Sequence, residues 1–265
     1  MSVESVLDSD YVLDDEDATW IARRVLPLVG VAVVLAVWWI VTHTGGSILT
    51  RMVPERSFAA LAELGTSPAF YAEHVTSSLF RFGVAIALSV AIGLPLGMLA
   101  GYFELFERTS SLVFQFLRIV SPIAWFPIAV AVFGSGTPAA VFVIFMAGVW
   151  PIVFNTAHGI DTMQKELIRV GESLGGDTRA ILRKVVFPAV VPDVLNGLRI
   201  SVGIAWIILV PAEMLGVDSG LGYYLLHARD RFAYHEIPAV IIVIGVIGFL
   251  LDTAIRRAYD RRNWN

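Results

Sequence analysis

The sequence predicts an all-α polytopic membrane protein with about six transmembrane helices, and three observations carry that prediction. Of its 265 residues 57% are hydrophobic and 16% charged, with a mean hydropathy of +0.73; a water-facing surface needs roughly 25% charged residues. Apolar runs of about 20 residues, enough to cross the hydrocarbon core as a helix, recur between polar loops. Lys and Arg are distributed unevenly between alternate loops, as they are when one set faces the cytoplasm.

The six runs lie near Val25–Thr42, Leu79–Tyr102, Ser111–Phe133, Pro138–Ala157, Ala189–Ala212 and Ile237–Ile255. Internal breakers such as Gly93, Pro95 and Gly97 are compatible with helices that pack closely in lipid. With the N-terminus inside, twelve Lys and Arg residues fall in cytoplasmic segments and four (Arg51, Arg56, Arg229 and Arg231) fall outside. Both termini are therefore expected in the cytoplasm of a multi-pass plasma-membrane protein. The longest inner loop spans residues 158–188.

The first nineteen residues carry Glu4, Asp8, Asp10, Asp14, Asp15, Glu16 and Asp17 without a Lys or Arg. That is the wrong sign for a signal-peptide n-region, and the segment reads as a retained, disordered tail. Arg23 and Arg24 read as a topogenic flank of the first span, since no small-residue cleavage site follows. The chain then divides into an acidic cytoplasmic tail (1–20), a first transmembrane helix with its outer loop (21–70), a membrane core (71–258) and a short cytoplasmic tail (259–265). A net charge of −4 offers no basic field for nucleic acid. The chain has no cysteine, which excludes disulfides and thiolate metal sites. No metal site or cofactor is expected.

The inner loop is amphipathic. Ile160, Met163, Leu167, Val170 and Leu174 recur at three- and four-residue steps and fall on one helical face. Asp161 is placed to cap that helix, Gly175-Gly176 to end it and Asp177 to cap a second short helix running toward Pro188. Periodicity alone fits a compact protrusion and a helix pair lying flat on lipid equally well.

Arg169-Val170-Gly171-Glu172-Ser173-Leu174-Gly175, followed after nine residues by Val185-Val186-Phe187-Pro188, resembles the EAA loop of bacterial and archaeal ABC importer permeases. That family's pattern is Glu-Ala-Ala, three residues, Gly, nine residues, then Ile-x-Leu-Pro. Here Arg169, Val170 and Gly171 replace the leading triplet, so an ion pair made by the family's Glu is not carried over. The resemblance covers roughly residues 70–255. It includes Ser77-Ser78-Leu79-Phe80-Arg81, Gly93-Leu94-Pro95-Leu96-Gly97 and Asn155-Thr156-Ala157-His158-Gly159-Ile160. Within the family the chain looks most like the nitrate, sulfonate, taurine and bicarbonate group. Ala124-Trp125-Phe126-Pro127-Ile128, Phe142-Val143-Ile144-Phe145 and Trp150-Pro151-Ile152 are similar to the nitrate-type branch.

The resemblance implies a type I importer permease (MetI-like) fold and import of a small anion, nitrate-type first, then sulfonate, taurine or bicarbonate. It implies two separate ATPase subunits, an external substrate-binding protein and a second permease, either a copy of this chain or a related one. In that reading Arg169, Gly171, Glu172, Ser173, Leu174, Gly175, Gly176, Asp177 and Pro188 form the ATPase-coupling loop. The chain is then a transport subunit and not an enzyme: it has no G-x-x-x-x-G-K-[ST] run to cradle ATP phosphates. Rival classes are an ATP-independent channel, which gives no reason for such a loop, and a membrane-embedded enzyme. His235-Glu236 lacks the second histidine of a zinc protease, and Gly134-Ser135-Gly136 lacks the spacing of an intramembrane serine protease.

Charges at membrane depth are costly, about 2.5 to 3.5 kcal/mol each on insertion scales. Arg118, followed by Ser121-Pro122, either presents positive potential to an anion in transit or snorkels to the headgroups; Arg199 faces the same two options. Glu213 reads as an outer-end residue paired with Arg229 or Arg231, or solvated. These three, with Ser121, Trp125 and Asn155, are the candidate translocation path. Trp125, Trp150 and Trp206 read first as interfacial anchors, and Asn155 and Thr156 as interhelical hydrogen-bonders. The segment Gly216–Tyr234 resembles the family's re-entrant gate loop; the alternative is an ordinary outer loop.

Overall fold

A computed structural model describes residues 15–260 apart from Gln164, and every regular element described is a helix. Most of the expected acidic tail lies outside the described residues, but its last part does not: α1 (Asp15–Thr44) begins inside it. Residues 15–20 are therefore helical. The C-terminal residues 261–265 also lie outside the described residues.

The apolar part of α1, Val25–Thr44, exposes most of its surface. Its polar anchors reach a strap at its C-terminal end. The Trp38 indole N–H donates to the Met52 carbonyl at 3.0 Å, and that of Trp39 donates to Glu55 Oε1 at 3.0 Å. The strap continues as α2 (Pro54–Thr66), an amphipathic helix that buries Ser57, Ala60 and Leu64.

Three long helices make the core: α3 (Pro68–Tyr102), α6 (Thr137–Thr162) and α8 (Thr178–Gly216). The middle one, α6, packs along both others and is the most deeply buried of the spans. Its contact with α3 is close because of a four-residue repeat of glycine. A Cβ at Gly93, Gly97 or Gly101 would lie 3.1, 2.7 or 2.9 Å from the carbonyl oxygens of Val149, Val153 and Ala157 respectively. Two backbones thus meet along two turns, which is how helices gain dispersion contact where lipid supplies no hydrophobic drive. Thr156, expected to hydrogen-bond between helices, is instead fully buried against Gly97 and its hydroxyl has no partner. Ser201 on α8 does make such a bond, to the Gly148 carbonyl at 2.6 Å.

The third predicted span is broken. Residues Glu104–Ile119 (α4) and Phe126–Phe133 (α5) are joined by a 3-10 turn at Pro122–Trp125 and bent by 97°. Val120 and Ser121 are extended, with ψ of 127° and 128°. Pro122 disfavours the helical conformation at Ser121, and an apolar count does not register that. Among the described residues five helices are long and apolar enough to span a membrane, and the bent pair, taken as one span, brings the number to six. The second and fifth spans also begin about eleven residues earlier than predicted, because Pro68–Ser78 and Thr178–Pro188 are too polar to register as hydrocarbon-crossing. The short α9 (Leu221–Asp230) and the final span α10 (Glu236–Asp260) complete the chain.

Replacing Gly97 by Leu should lower thermal stability in detergent by about 1–3 kcal/mol, the usual cost of overpacking a close seam. Gly83→Leu, where nothing lies within 4 Å of a new Cβ, should change it little. Equal melting temperatures for the two variants would contradict the seam.

Candidate functional site

The loop 158–188 is built differently from a free-standing helix pair. Asp161 lies within α6, so it caps nothing. Met163 is extended (φ −67°, ψ 154°) and ends α6, separating Ile160, which is buried, from α7 (Lys165–Ser173). The apolar face therefore splits. Leu167, Val170 and Leu174 form an exposed stripe on α7, Leu174 being 83% exposed, while Ile160 and Met163 pack with Ile181 and Val186 beneath it.

Gly175 has φ +78°, the left-handed conformation that ends a helix with little strain only in glycine. The Gly176 N–H then donates back to the Gly171 carbonyl at 3.0 Å, closing the last turn. Ser173 Oγ donates to the Arg169 carbonyl at 2.8 Å. Asp177 Oδ1 accepts from the Ala180 N–H at 2.8 Å and caps the next helix. That helix does not stop at Pro188. It passes through a π-helical turn at Leu182–Val186 and runs on within α8, with Pro188 just after that turn, where its missing N–H removes one bond of the helical ladder. Glu172 lies on α7, and Arg169, Ser173 and Asp177 are exposed.

Between α4, α6 and α8 lies a cavity of about 410 Å³ lined by Arg118, Pro122, Trp150, Phe154, Asn155 and Ile204. Two of the six path candidates therefore meet there. The Arg118 guanidinium lies 4.6 Å over the Phe154 ring, and no carboxylate pairs with it among the described residues. Asn155 donates to the Pro151 carbonyl at 2.8 Å and accepts from Asn196 on α8 at 2.9 Å, bonding across helices as predicted. Ser121 is exposed beside the bend. Trp125 is half-buried and packs with Met146 and Trp150. Trp150 and Trp206 are core residues and not interfacial anchors. Each is 8% exposed, and Trp206 donates to the Ile244 carbonyl at 3.2 Å. Arg199 neither snorkels alone nor enters the cavity: its Nε sits 4.0 Å from Asp252 Oδ1 on α10.

Glu213 corrects the sequence reading most. It is fully buried, and its partner is neither Arg229, which pairs with Asp230, nor Arg231, which pairs with Glu236. Its Oε1 accepts from Arg81 at 2.8 Å, Ser78 Oγ lies 2.8 and 2.9 Å from its two oxygens, and the Gly222 N–H donates to Oε2 at 3.0 Å. Arg81, itself 3% exposed, also donates to Thr137 Oγ1, the Ser219 carbonyl and Ser219 Oγ. Ser78 Oγ accepts the Leu221 N–H at 2.8 Å. The segment Gly216–Tyr234 forms α9 over Leu221–Asp230, docked at its start on this cluster. Gly220, at φ +105°, leaves room for the Glu213 carboxylate. In its first turn Tyr224 donates to Glu236 at 2.6 Å, and burial pushes the Tyr224 hydroxyl up to about 12. Sequence reasoning missed Arg81 as a partner. The signal was present: assigning Lys and Arg to the two sides of the membrane leaves Arg81, Arg118 and Arg199 over as cations within spans.

Among the described residues no three His, Cys, Asp or Glu side chains gather where they would hold a metal ion. The geometry is that of a helical bundle with a projecting loop at one end and a docked short helix at the other. The family model for the inner membrane component of binding-protein-dependent transport systems matches residues 93–263. The chain belongs to that family. Among its relatives, the nitrate import permease protein NrtB of Synechocystis is 32% identical over 239 residues, covering 88% of this chain and 87% of that one. The bicarbonate transport system permease protein CmpB of Synechococcus elongatus is 33% identical over 238 residues, covering 86% and 85%. The taurine transport system permease protein TauC of Escherichia coli is 31% identical over 249 residues, covering 91% and 90%. In fold the chain resembles the inward-facing MetNI methionine ABC transporter (TM-score 0.61, 20% identity, 74% of this chain and 98% of that one).

Proposed function

We propose that this chain is the membrane-spanning subunit of an ATP-driven importer of small anions, nitrate-type first, then sulfonate, taurine or bicarbonate. The observation that carries the reading is the loop 158–188. It is a short helix with an exposed Leu167, Val170 and Leu174 stripe, ended by a left-handed Gly175 and joined through the Asp177 cap to a core helix. In a family of transport components this is a surface suited to an ATPase groove, with Arg169, Gly171, Glu172, Ser173, Leu174, Gly175, Gly176, Asp177 and Pro188 as the coupling segment. Two ATPase subunits hydrolyse ATP, an external binding protein delivers substrate, and a second permease, a copy or a related chain, completes the pathway. The excess of Lys and Arg supports a cytoplasmic location for both termini and this loop.

The path reading rests on the cavity at the bend. Its walls are apolar apart from Arg118 and Asn155, so the field inside is positive and weakly screened. Arg118 is held by a cation–π contact, worth about 0.5–2 kcal/mol. That is weak enough for the guanidinium to exchange the ring for a passing oxyanion, to which Arg bonds well. Ser121 and Trp125 flank this route. Arg199 and Glu213, each with a partner of its own, are left as structural charges.

Two measurements follow. Gly175→Val places a β-branched residue at positive φ, a strain of at least about 1–2 kcal/mol. It should reduce ATPase co-purification and substrate-stimulated hydrolysis in liposomes while membrane insertion is unchanged. Wild-type levels of both would remove the coupling assignment. Arg118→Ala should lower nitrate uptake by about tenfold or more, given the worth of a charge-assisted bond, with folded yield held. Uptake unchanged, or reduced only in proportion to yield, would remove Arg118 from the path.

A further inference from the structure

The buried cluster around Glu213 has no role in the transport reading above, yet it joins four parts of the chain. Ser78 and Arg81 come from α3, Thr137 from the start of α6, Glu213 from the last turn of α8, and Ser219, Leu221 and Gly222 from the bend before α9 and the first turn of α9. Arg81 and Glu213 are 3% and 0% exposed. The carboxylate takes a guanidinium, a hydroxyl and a backbone N–H, and the guanidinium uses all three of its nitrogens. A pair satisfied this completely separates only by leaving a charge stranded in an apolar interior. The backbone repeats the tie nearby, with the Gly136 N–H donating to the Gly216 carbonyl at 2.7 Å.

The helix that carries Glu213 also carries the coupling loop. It runs 39 residues, Thr178–Gly216, from the Asp177 cap to the cluster. At 1.5 Å per residue that is about 58 Å, nearly twice the ~30 Å hydrocarbon core. A π-helical turn at Leu182–Val186 and two internal prolines, Pro192 and Pro211, lie along it, but the helix is unbroken, so Asp177 and Glu213 sit at the two ends of one helical element.

We propose that Arg81 and Glu213 are positioning residues that fasten α9 to the ends of α3 and α8, so that α9 closes or opens its end of the pathway only as part of that unit, driven by α8, and never as a separate flap. The role of α9 as a closure rests on the importer reading; the fastening itself does not.

Two arms test it. In the first, amide hydrogen exchange is followed across purified full-length chain for wild type, Arg81→Met and Glu213→Gln. The Gln variant keeps the side-chain shape if loss of Arg81 prevents folding. Amides of Leu221–Asp230 should exchange about tenfold faster in the variants, the effect of removing one charged partner from a buried group, while those of the α6 interior stay protected. Unchanged exchange in α9 overturns the fastening. The second arm uses the absence of native cysteine. His74 on α3 and Tyr223 on α9, whose rings stack at 6.3 Å, are both replaced by Cys and bridged with a short bismaleimide in proteoliposomes containing the ATPase and binding protein. ATP-driven nitrate uptake at the unbridged rate supports movement as one unit. Uptake present before bridging and lost after it shows that α9 must leave α3, which overturns the proposal. If the unmodified wild-type assembly fails to transport any nitrate, taurine or bicarbonate, the importer reading falls, while the exchange arm still decides the fastening.

Discussion

A charge placed in an apolar medium must find a partner or reach water, and that constraint sorts the ionisable residues of this protein. Arg81 and Glu213 meet it with a direct 2.8 Å contact and a full set of hydrogen bonds, and so become fixed points of the fold. Arg199 meets it more loosely, through Asp252 on the neighbouring span. Arg118 meets it with an aromatic face and a cavity. The weaker the internal compensation, the more a charge gains from a mobile counter-ion, which is why Arg118 is the residue assigned to an anion in transit. Helix α9 follows the same rule, since its N-terminal amides at Leu221 and Gly222 are satisfied by the groups that hold the ion pair.

Packing connects these points. Because Gly93, Gly97 and Gly101 let α3 and α6 touch backbone to backbone, the core behaves as a dense plate against which α8 lies. The same helix emerges at both ends, with the projecting loop at one and the Glu213 cluster at the other. Sequence, packing and function thus meet in α8: the Asp177 cap starts it, Ser201 ties it to α6, and Glu213 ends it. One helix tied at both ends links the loop to the cluster without an intervening loop.

The sequence carried the fold class, the number of spans and the loop chemistry at Gly175 and Asp177, because hydropathy, positive φ and capping are properties of a residue and its near neighbours. It did not carry the 97° break at Ser121-Pro122, since the run across the break is apolar on average and window averages cannot distinguish a bent run from a straight one. Nor did it carry the Arg81 to Glu213 pairing, which spans 132 positions in the chain. Charge bookkeeping flags Arg81 as left over in a span, but choosing its partner requires knowing which helix ends lie together. Trp150 and Trp206 failed for a related reason. Position near an apolar boundary suggests a membrane anchor, whereas their burial arises from contacts between helices.

The central claim is that ATP hydrolysis outside this chain drives a small oxyanion through it. The most direct measurement is uptake of isotopically labelled nitrate into proteoliposomes that hold this chain with its ATPase and binding protein, with ATP, with a non-hydrolysable analogue, and with a neutral solute of similar size in place of nitrate. The account predicts saturable nitrate uptake only with hydrolysable ATP and binding protein together, competition by bicarbonate or taurine where affinity for them exists, and no uptake of the neutral solute. Nitrate entry that proceeds equally without hydrolysis, or entry of the neutral solute at the same rate, would contradict it.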